Sequence, residues 1–293
     1  MRGFTAFLLV IVAAVAVFVA VPANWANRYV VDQGRFTTLL APLGSDPAVQ
    51  QVMATEIAGQ VQRLLTEQGD SRPPLETITP YVTAYTRSAQ FPPVFAAAVG
   101  QVHTWLFTQP TLEQRLGGAT TTQVDLAPMI RQIVSADHVQ VKGADLAVPA
   151  QVTIDLSGTG ANQDLFRAGR LQPVAEDVGA ASWLAILVGA VAAVLALIAG
   201  RRRGFVLMFL GLGAALAAGV TWVLCVAAPS YAAHRGGGGL NMTVLKAAID
   251  QVTHSIGPWV GTEAAIGGAA ALLGLMFGVL GMLAGRRRRR EGW

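Results

Sequence analysis

Hydrophobic positions along this chain follow two patterns. In four stretches they are continuous: Phe4–Val21, Gly179–Ala199, Phe205–Ala228 and Ala264–Gly285. None of these contains Asp, Glu, Lys or Arg. At 1.5 Å rise per residue, roughly 20 residues in helical form cross ~30 Å of hydrocarbon, and each stretch is about that long. Four transmembrane helices are predicted: residues 1–23, 180–200, 204–228 and 259–285. The first has two readings, a retained anchor or a signal peptide cleaved near Val21-Pro22-Ala23. Its length exceeds the usual apolar core of a signal peptide, which favours the anchor. Both readings export the residues after it.

In residues 24–179 the apolar positions become periodic. Val49, Val52, Met53, Ile57, Val61, Leu64 and Leu65 recur at helical spacing after Ser45-Asp46-Pro47, in which either Ser45 or Asp46 suits the N-cap and Pro47 the first helical position. A helix of about 20 residues ending near Gly69 is predicted there, after a short helix over Arg35–Ala41. Asp70–Pro74 reads as a turn. Further helices are expected over Leu75–Ala89, shortened or bent by Pro80, and over Val94–Thr108 after Pro92-Pro93. The period then shifts. Thr120–Leu126 is β-branched, Met129–Ala136 reads as a helix, and Val139–Val141 and Ala147–Leu156 look extended. Pairing of Thr121–Leu126 with Gln151–Leu156 would give a two- or three-stranded sheet on the helices. The expected fold is therefore a membrane α-helical protein carrying an extracytoplasmic α+β domain, mostly helical with a small sheet. Ser157–Asn162 reads as a loop. A helix from about Gln163, broken or kinked at Pro173, leads into the second span.

Residues 229–258 form a connecting segment. Gly236–Gly239 is a spacer, and Asn241–His254 has the pattern of an amphipathic helix that either lies on the outer leaflet or docks on the exported domain. In the last span, Gly274/Gly278 and Gly281/Gly285 are small residues four apart, as are Ala215/Gly219 in the third. Such surfaces let helices approach closely in lipid, within one chain or between copies in a homo-oligomer.

Charge orients these elements. The chain is 53% hydrophobic and 13% charged, with a formal net charge of +4. Residues 22–180 hold 14 Asp+Glu and 10 Lys+Arg, a net of −4. The basic excess sits in Arg201, Arg202 and Arg203, between the second and third spans, and in Arg286, Arg287, Arg288, Arg289 and Arg290, after the fourth. Positive clusters flanking spans stay cytoplasmic, so these arginines determine the predicted topology: residues 24–179 outside, residues 286–293 a basic tail inside, in a multi-pass plasma-membrane protein. This distribution argues against a nucleic-acid partner. The lipid bilayer is the expected partner, and anionic lipid could add to it at the basic tail.

Little else suggests chemistry. The single cysteine, Cys225, lies within an apolar run, so no intrachain disulfide or paired-cysteine metal site can form. His103, His138, His234 and His254 lack ligand spacing, and no nucleophile-elbow, zincin or phosphate-loop pattern occurs. Asp125, Asp137, Asp145 and Asp155 read most simply as solvated turn residues. No catalytic, metal or cofactor-binding residue is expected, and no cofactor. The one ionisable candidate near a span is Glu263. The uncharged run after it is long enough to cross by itself, which would leave Glu263 at the outer interface beside Trp259.

Val31–Phe36 (VDQGRF), Ala41–Val49 (APLGSDPAV), Trp105 and Val124–Pro128 (VDLAP) resemble stretches of a family of actinobacterial integral membrane proteins. The resemblance implies one N-terminal span, an extracytoplasmic domain and three C-terminal spans. It carries over no activity. Gln33-Gly34 stands where that family has Thr-Asp. The expectation from sequence is a non-enzymatic membrane protein whose external domain binds a cell-envelope protein or wall component. The alternatives are a small transport or channel subunit and, third, an envelope hydrolase.

Overall fold

The computed structural model describes residues 2–68, 74–108, 123–135, 148–155, 169–235 and 240–290. In chain order the elements are α1 (Arg2–Ala26), α2 (Gln33–Leu40), α3 (Pro47–Glu67), α4 (Leu75–Thr86), α5 (Phe91–Phe107), β1 (Gln123–Asp125), α6 (Ala127–Ser135), β2 (Thr153–Asp155), α7 (Gln172–Ala199), α8 (Arg203–Arg235) and α9 (Leu240–Arg290). A π-helical turn, Asn27–Val31, follows α1, and a 3-10 turn, Ala41–Ser45, precedes α3. Two compact units result. One comprises Met1–Arg28, Glu176–Ser230 and Thr253–Trp293; the other comprises Tyr29–Ala175 and Tyr231–Val252.

Four candidate membrane spans, Gly3–Val31, Gln172–Ala199, Arg203–Ala227 and Thr243–Leu283, lie mostly in the first unit. Each is long and apolar enough to cross a bilayer, as a multi-pass membrane protein requires. Its side-chain distribution inverts that of a soluble core. Ala6, Ala13, Ala16, Ala185, Ala192 and Ala196 are buried, whereas Phe4, Phe7, Leu187, Leu216, Leu272 and Leu280 are exposed. Water would penalise such exposure; hydrocarbon does not, and small residues inside let backbones close up. The closest approach is between α8 and α9. A Cβ placed on Gly204, Gly211, Gly267 or Gly274 would run into backbone of the opposite helix: Gly278 and Gly274, Ala271 and Gly267, Ala215 and Gly211, and Met208 and Gly204 respectively. On the α1–α7 seam, Asn24 donates to Ser182 at 3.4 Å, and Gly189 sits against the Ala16 methyl.

The second unit is helical, with a core of its own. Val49, Ile57, Val61 and Leu65 of α3 meet Ile78, Val82 and Tyr85 of α4, Phe91 and Phe95 of α5, and Met129, Ile130 and Ile133 of α6. Burying an aliphatic side chain of this size contributes roughly 1.5–3 kcal/mol, so α3 and α6 are held mainly by this face. Asp46 caps α3, accepting from the N–H groups of Ala48 (2.8 Å) and Val49 (3.1 Å). Asp32 caps α2 in the same way, through Arg35 N–H. Gln33 ties α2 to α5, donating to Gly100 O at 3.1 Å and to the Thr104 hydroxyl at 2.9 Å. Gly169 adopts φ 68°, the left-handed region that glycine tolerates; its N–H donates to Trp105 O just before α7 begins.

The structure corrects the α+β expectation. The described residues are helical almost throughout, and no sheet layer packs on the helices. Extended pairing is limited to β1 and β2, three residues each, antiparallel with Val124 opposite Ile154. A ribbon that short has no independent stability and does not define a fold class. Its role is local. Asp125 turns its carboxylate back to accept from Ala127 N–H (2.9 Å) and Val152 N–H (3.0 Å), which starts α6. β-branched residues read as strands in isolation, but here the core is already supplied by helices. The predicted strand at Val139–Val141, the loops at Ser157–Asn162 and Gly236–Gly239, and most of the Asp70–Pro74 turn lie outside the described residues.

Three boundaries also move. α4 runs through Pro80 and stops at Thr86. α7 begins at Gln172, placing Pro173 in its first turn rather than at a break, where a missing N–H costs little; the helix expected from about Gln163 falls on residues 163–168, outside the described residues. The segment expected to be a separate amphipathic helix is the start of α9, which continues through Pro258. There Val244, Ala247 and Ala248 pack on the core of the second unit, the docking alternative rather than the leaflet one.

Candidate functional site

Glu263 lies on α9, one turn beyond Trp259 and next to Thr262. It faces a pocket of about 530 Å³ lined by these residues together with Pro258 and Ile266 of the same helix, Val17 and Val21 of α1, and Ala214 of α8. All of these belong to the first unit. Glu263 is 9% exposed, and neither carboxylate oxygen has a hydrogen-bond partner. The adjacent Thr262 hydroxyl does not help; it donates to Pro258 O at 2.7 Å, satisfying the helix backbone around the proline. Arg28 places its guanidinium 5.9 Å from the centroid of the Trp259 ring, a cation–π contact. An unpaired buried carboxylate costs several kcal/mol if ionised. An uncompensated acid within a candidate span is a candidate functional residue.

The wall composition follows from the packing of the unit. Alanine and glycine on the α8 and α9 seam bring the helices together below the site. Val17 and Val21, one turn apart on α1, close the other side. A second pocket of about 770 Å³ is lined by Ala218, Trp222, His254 and Val260, among others, on α8 and α9. It holds no buried acid.

The remaining sequence candidates lie away from the Glu263 pocket. Arg201 and Arg202 are exposed between α7 and α8, and Arg203 opens α8; Arg202 donates to the Met282 sulfur at 3.8 Å. Arg286–Arg290 form the end of α9. Gly274 abuts Met208 of α8, and Gly278 lies under the Phe205 ring, whose nearest atom is 3.1 Å from where a Cβ would stand. A Cβ on Gly281 would meet nothing within 4 Å. Gly285 lies in α9, outside the residues whose side-chain surroundings are described. Gly204, Gly211 and Gly267 were missed from sequence. The signal was available: Gly204/Gly211 and Gly267/Gly274 are each seven apart, two turns on one helix face.

In the second unit, His103 is buried in a structural position. Its Nε2 lies 2.9 Å from Val30 O, which fixes that nitrogen as the donor, and its ring stacks on Phe107 with centroids 4.3 Å apart. Asp125 is engaged in backbone caps. Asp137 and Asp145 lie outside the described residues. Among the described residues, no group of three or more His, Cys, Asp and Glu is placed to hold a metal ion.

Comparison with known proteins gives no match to this chain among protein-family models, curated proteins or solved structures.

Proposed function

We propose that this is a plasma-membrane protein that presents its second unit outside the cytoplasm as a binding scaffold for a cell-envelope protein or wall component, without catalysis. The observation that carries the reading is the ordered helical core of that unit, joined in one chain to four candidate spans. The arginines at 201–203 and 286–290 support the orientation, since both clusters resist translocation. The likeness to actinobacterial membrane proteins supports the same layout. Orientation is tested first. With Cys225 replaced by alanine, single cysteines at Thr79 and at Arg202 are challenged in intact cells with a membrane-impermeant maleimide. Labelling at residue 79 alone supports the topology; labelling at residue 202 alone inverts it and removes the envelope role. The partner is then sought by photo-crosslinking the full chain through Tyr81, which is 42% exposed, in native membranes. Recovery of no envelope component would count against the scaffold.

A second reading, a small transport or channel subunit, is favoured by one specific observation: the unpartnered carboxylate of Glu263 inside the spanning unit. Glu263→Gln should then change flux in reconstituted vesicles.

A further inference from the structure

We propose that the pocket around Glu263 is a binding site for a hydrophobic organic cation, of the quaternary ammonium or phosphonium class. The proposal deepens the transport reading of the same site, but rests only on binding there and not on translocation.

The Glu263 carboxylate is nine-tenths buried, has no hydrogen-bond partner, and faces a pocket whose other walls are almost entirely apolar. A ligand that stabilises the ionised form must bring positive charge. A small metal ion is a poor match. Calcium takes 6–8 oxygen ligands and magnesium about six, whereas this pocket offers a single carboxylate among valine, alanine, proline and isoleucine. A compact, strongly hydrated ammonium would likewise lose most of its water, receiving as replacement acceptors only the Glu263 carboxylate and the oxygen of the Thr262 hydroxyl, the other lining residues being apolar or, like Trp259, without an acceptor. A cation whose charge is shielded by carbon substituents loses little hydration on entry. Its substituents can cover Val17, Val21, Ala214 and Ile266, while its charge is offset by Glu263. The space of about 530 Å³ is an open cleft rather than an enclosed cavity, wide enough to admit a molecule with bulky substituents against its walls. A neutral apolar molecule would fill the same walls but leave the carboxylate uncompensated, and an anion would be repelled.

The test uses the full chain in phosphatidylcholine nanodiscs with tetraphenylphosphonium as the probe and tetraphenylborate, nearly the same shape with opposite charge, as the control. Equilibrium binding is read by radiolabelled ligand. The wild-type chain is expected to bind the phosphonium saturably with 1:1 stoichiometry, and tetraphenylborate is expected not to compete. Glu263→Gln should weaken binding by about tenfold or more while keeping the shape of the walls. Val21→Phe, which keeps the carboxylate and narrows the pocket, should weaken it similarly. Both variants are compared with wild type for monodispersity and melting temperature, so that a folding defect in one leaves the other to decide. Binding by Glu263→Gln within twofold of wild type, equal competition by tetraphenylborate, or absence of saturable binding to the wild-type chain would each overturn the proposal. Flux in vesicles is measured separately. Binding without flux would sink the transport reading and leave the cation site standing; flux without saturable phosphonium binding would do the reverse.

Discussion

Replacing Gly274 by alanine adds one methyl group at the tightest part of the α8–α9 seam. The new Cβ would collide with Met208 N, and would stand 2.6 Å from Gly204 O and 2.7 Å from Met208 Cα. Carbon atoms prefer about 3.5–4.0 Å, so the two helices must separate by about 1 Å to admit it. All the colliding atoms are backbone, so no side chain can swing aside. A gap of 0.5–1 Å forfeits about a quarter to a half of each van der Waals contact along the seam, and overpacking of this kind costs about 1–3 kcal/mol. The comparison is Gly281→Ala, seven residues further along the same helix. There the methyl meets nothing within 4 Å, and alanine gains up to ~1 kcal/mol in helix propensity over glycine. That propensity gain is common to both variants, so their difference isolates the steric cost. Unfolding of the full chain by SDS titration in mixed micelles, followed by tryptophan fluorescence, should place Gly274→Ala about 2 kcal/mol or more below Gly281→Ala. Equal stability for the two would show that α8 and α9 do not meet backbone to backbone, and the packing account would fail.

Other predictions concern the second unit. Asp46→Ala removes both acceptor contacts at the start of α3 and should cost about 1 kcal/mol in urea unfolding, with Asp46→Ser restoring most of it. His103→Phe preserves the stack on Phe107 but strips Val30 O of its donor, and should cost about 1–3 kcal/mol by the same assay. Burial pushes the Tyr85 hydroxyl up to about 12, above its ordinary value of 10.0. The folded state then holds its proton where the unfolded state has lost it, so stability from this group is complete below pH 10 and is lost as pH rises through about 12. Tyr85→Phe should flatten that alkaline slope, at the cost of leaving Gln132 Oε1 without its 2.7 Å donor. A slope unchanged in Tyr85→Phe would mean that another group sets it.

The apolar runs and the cap of α3 were legible in the sequence because both are local. A span needs only a continuous length of carbon side chains, and Asp46 acts on N–H groups two and three residues away. The arginine clusters predict an orientation for the same reason, since a charge resists the bilayer wherever the rest of the chain goes. What tertiary structure decided were the questions whose answer lies on another element. Gly274/Gly278 and Gly281/Gly285 have the same spacing, yet Gly274 meets α8 backbone while Gly281 meets nothing, because the helices are in contact over only part of their length. β-Branched residues near Val124 and Ile154 do pair with each other, but over only three residues each, and the core is formed by the faces of α3, α4, α5 and α6, so the pairing does not make an α+β fold. Glu263 read as an acid beside an interfacial tryptophan. Its burial depends on Val17, Val21 and Ala214, which no spacing along α9 could reveal, because burial is a property of neighbours rather than of residues.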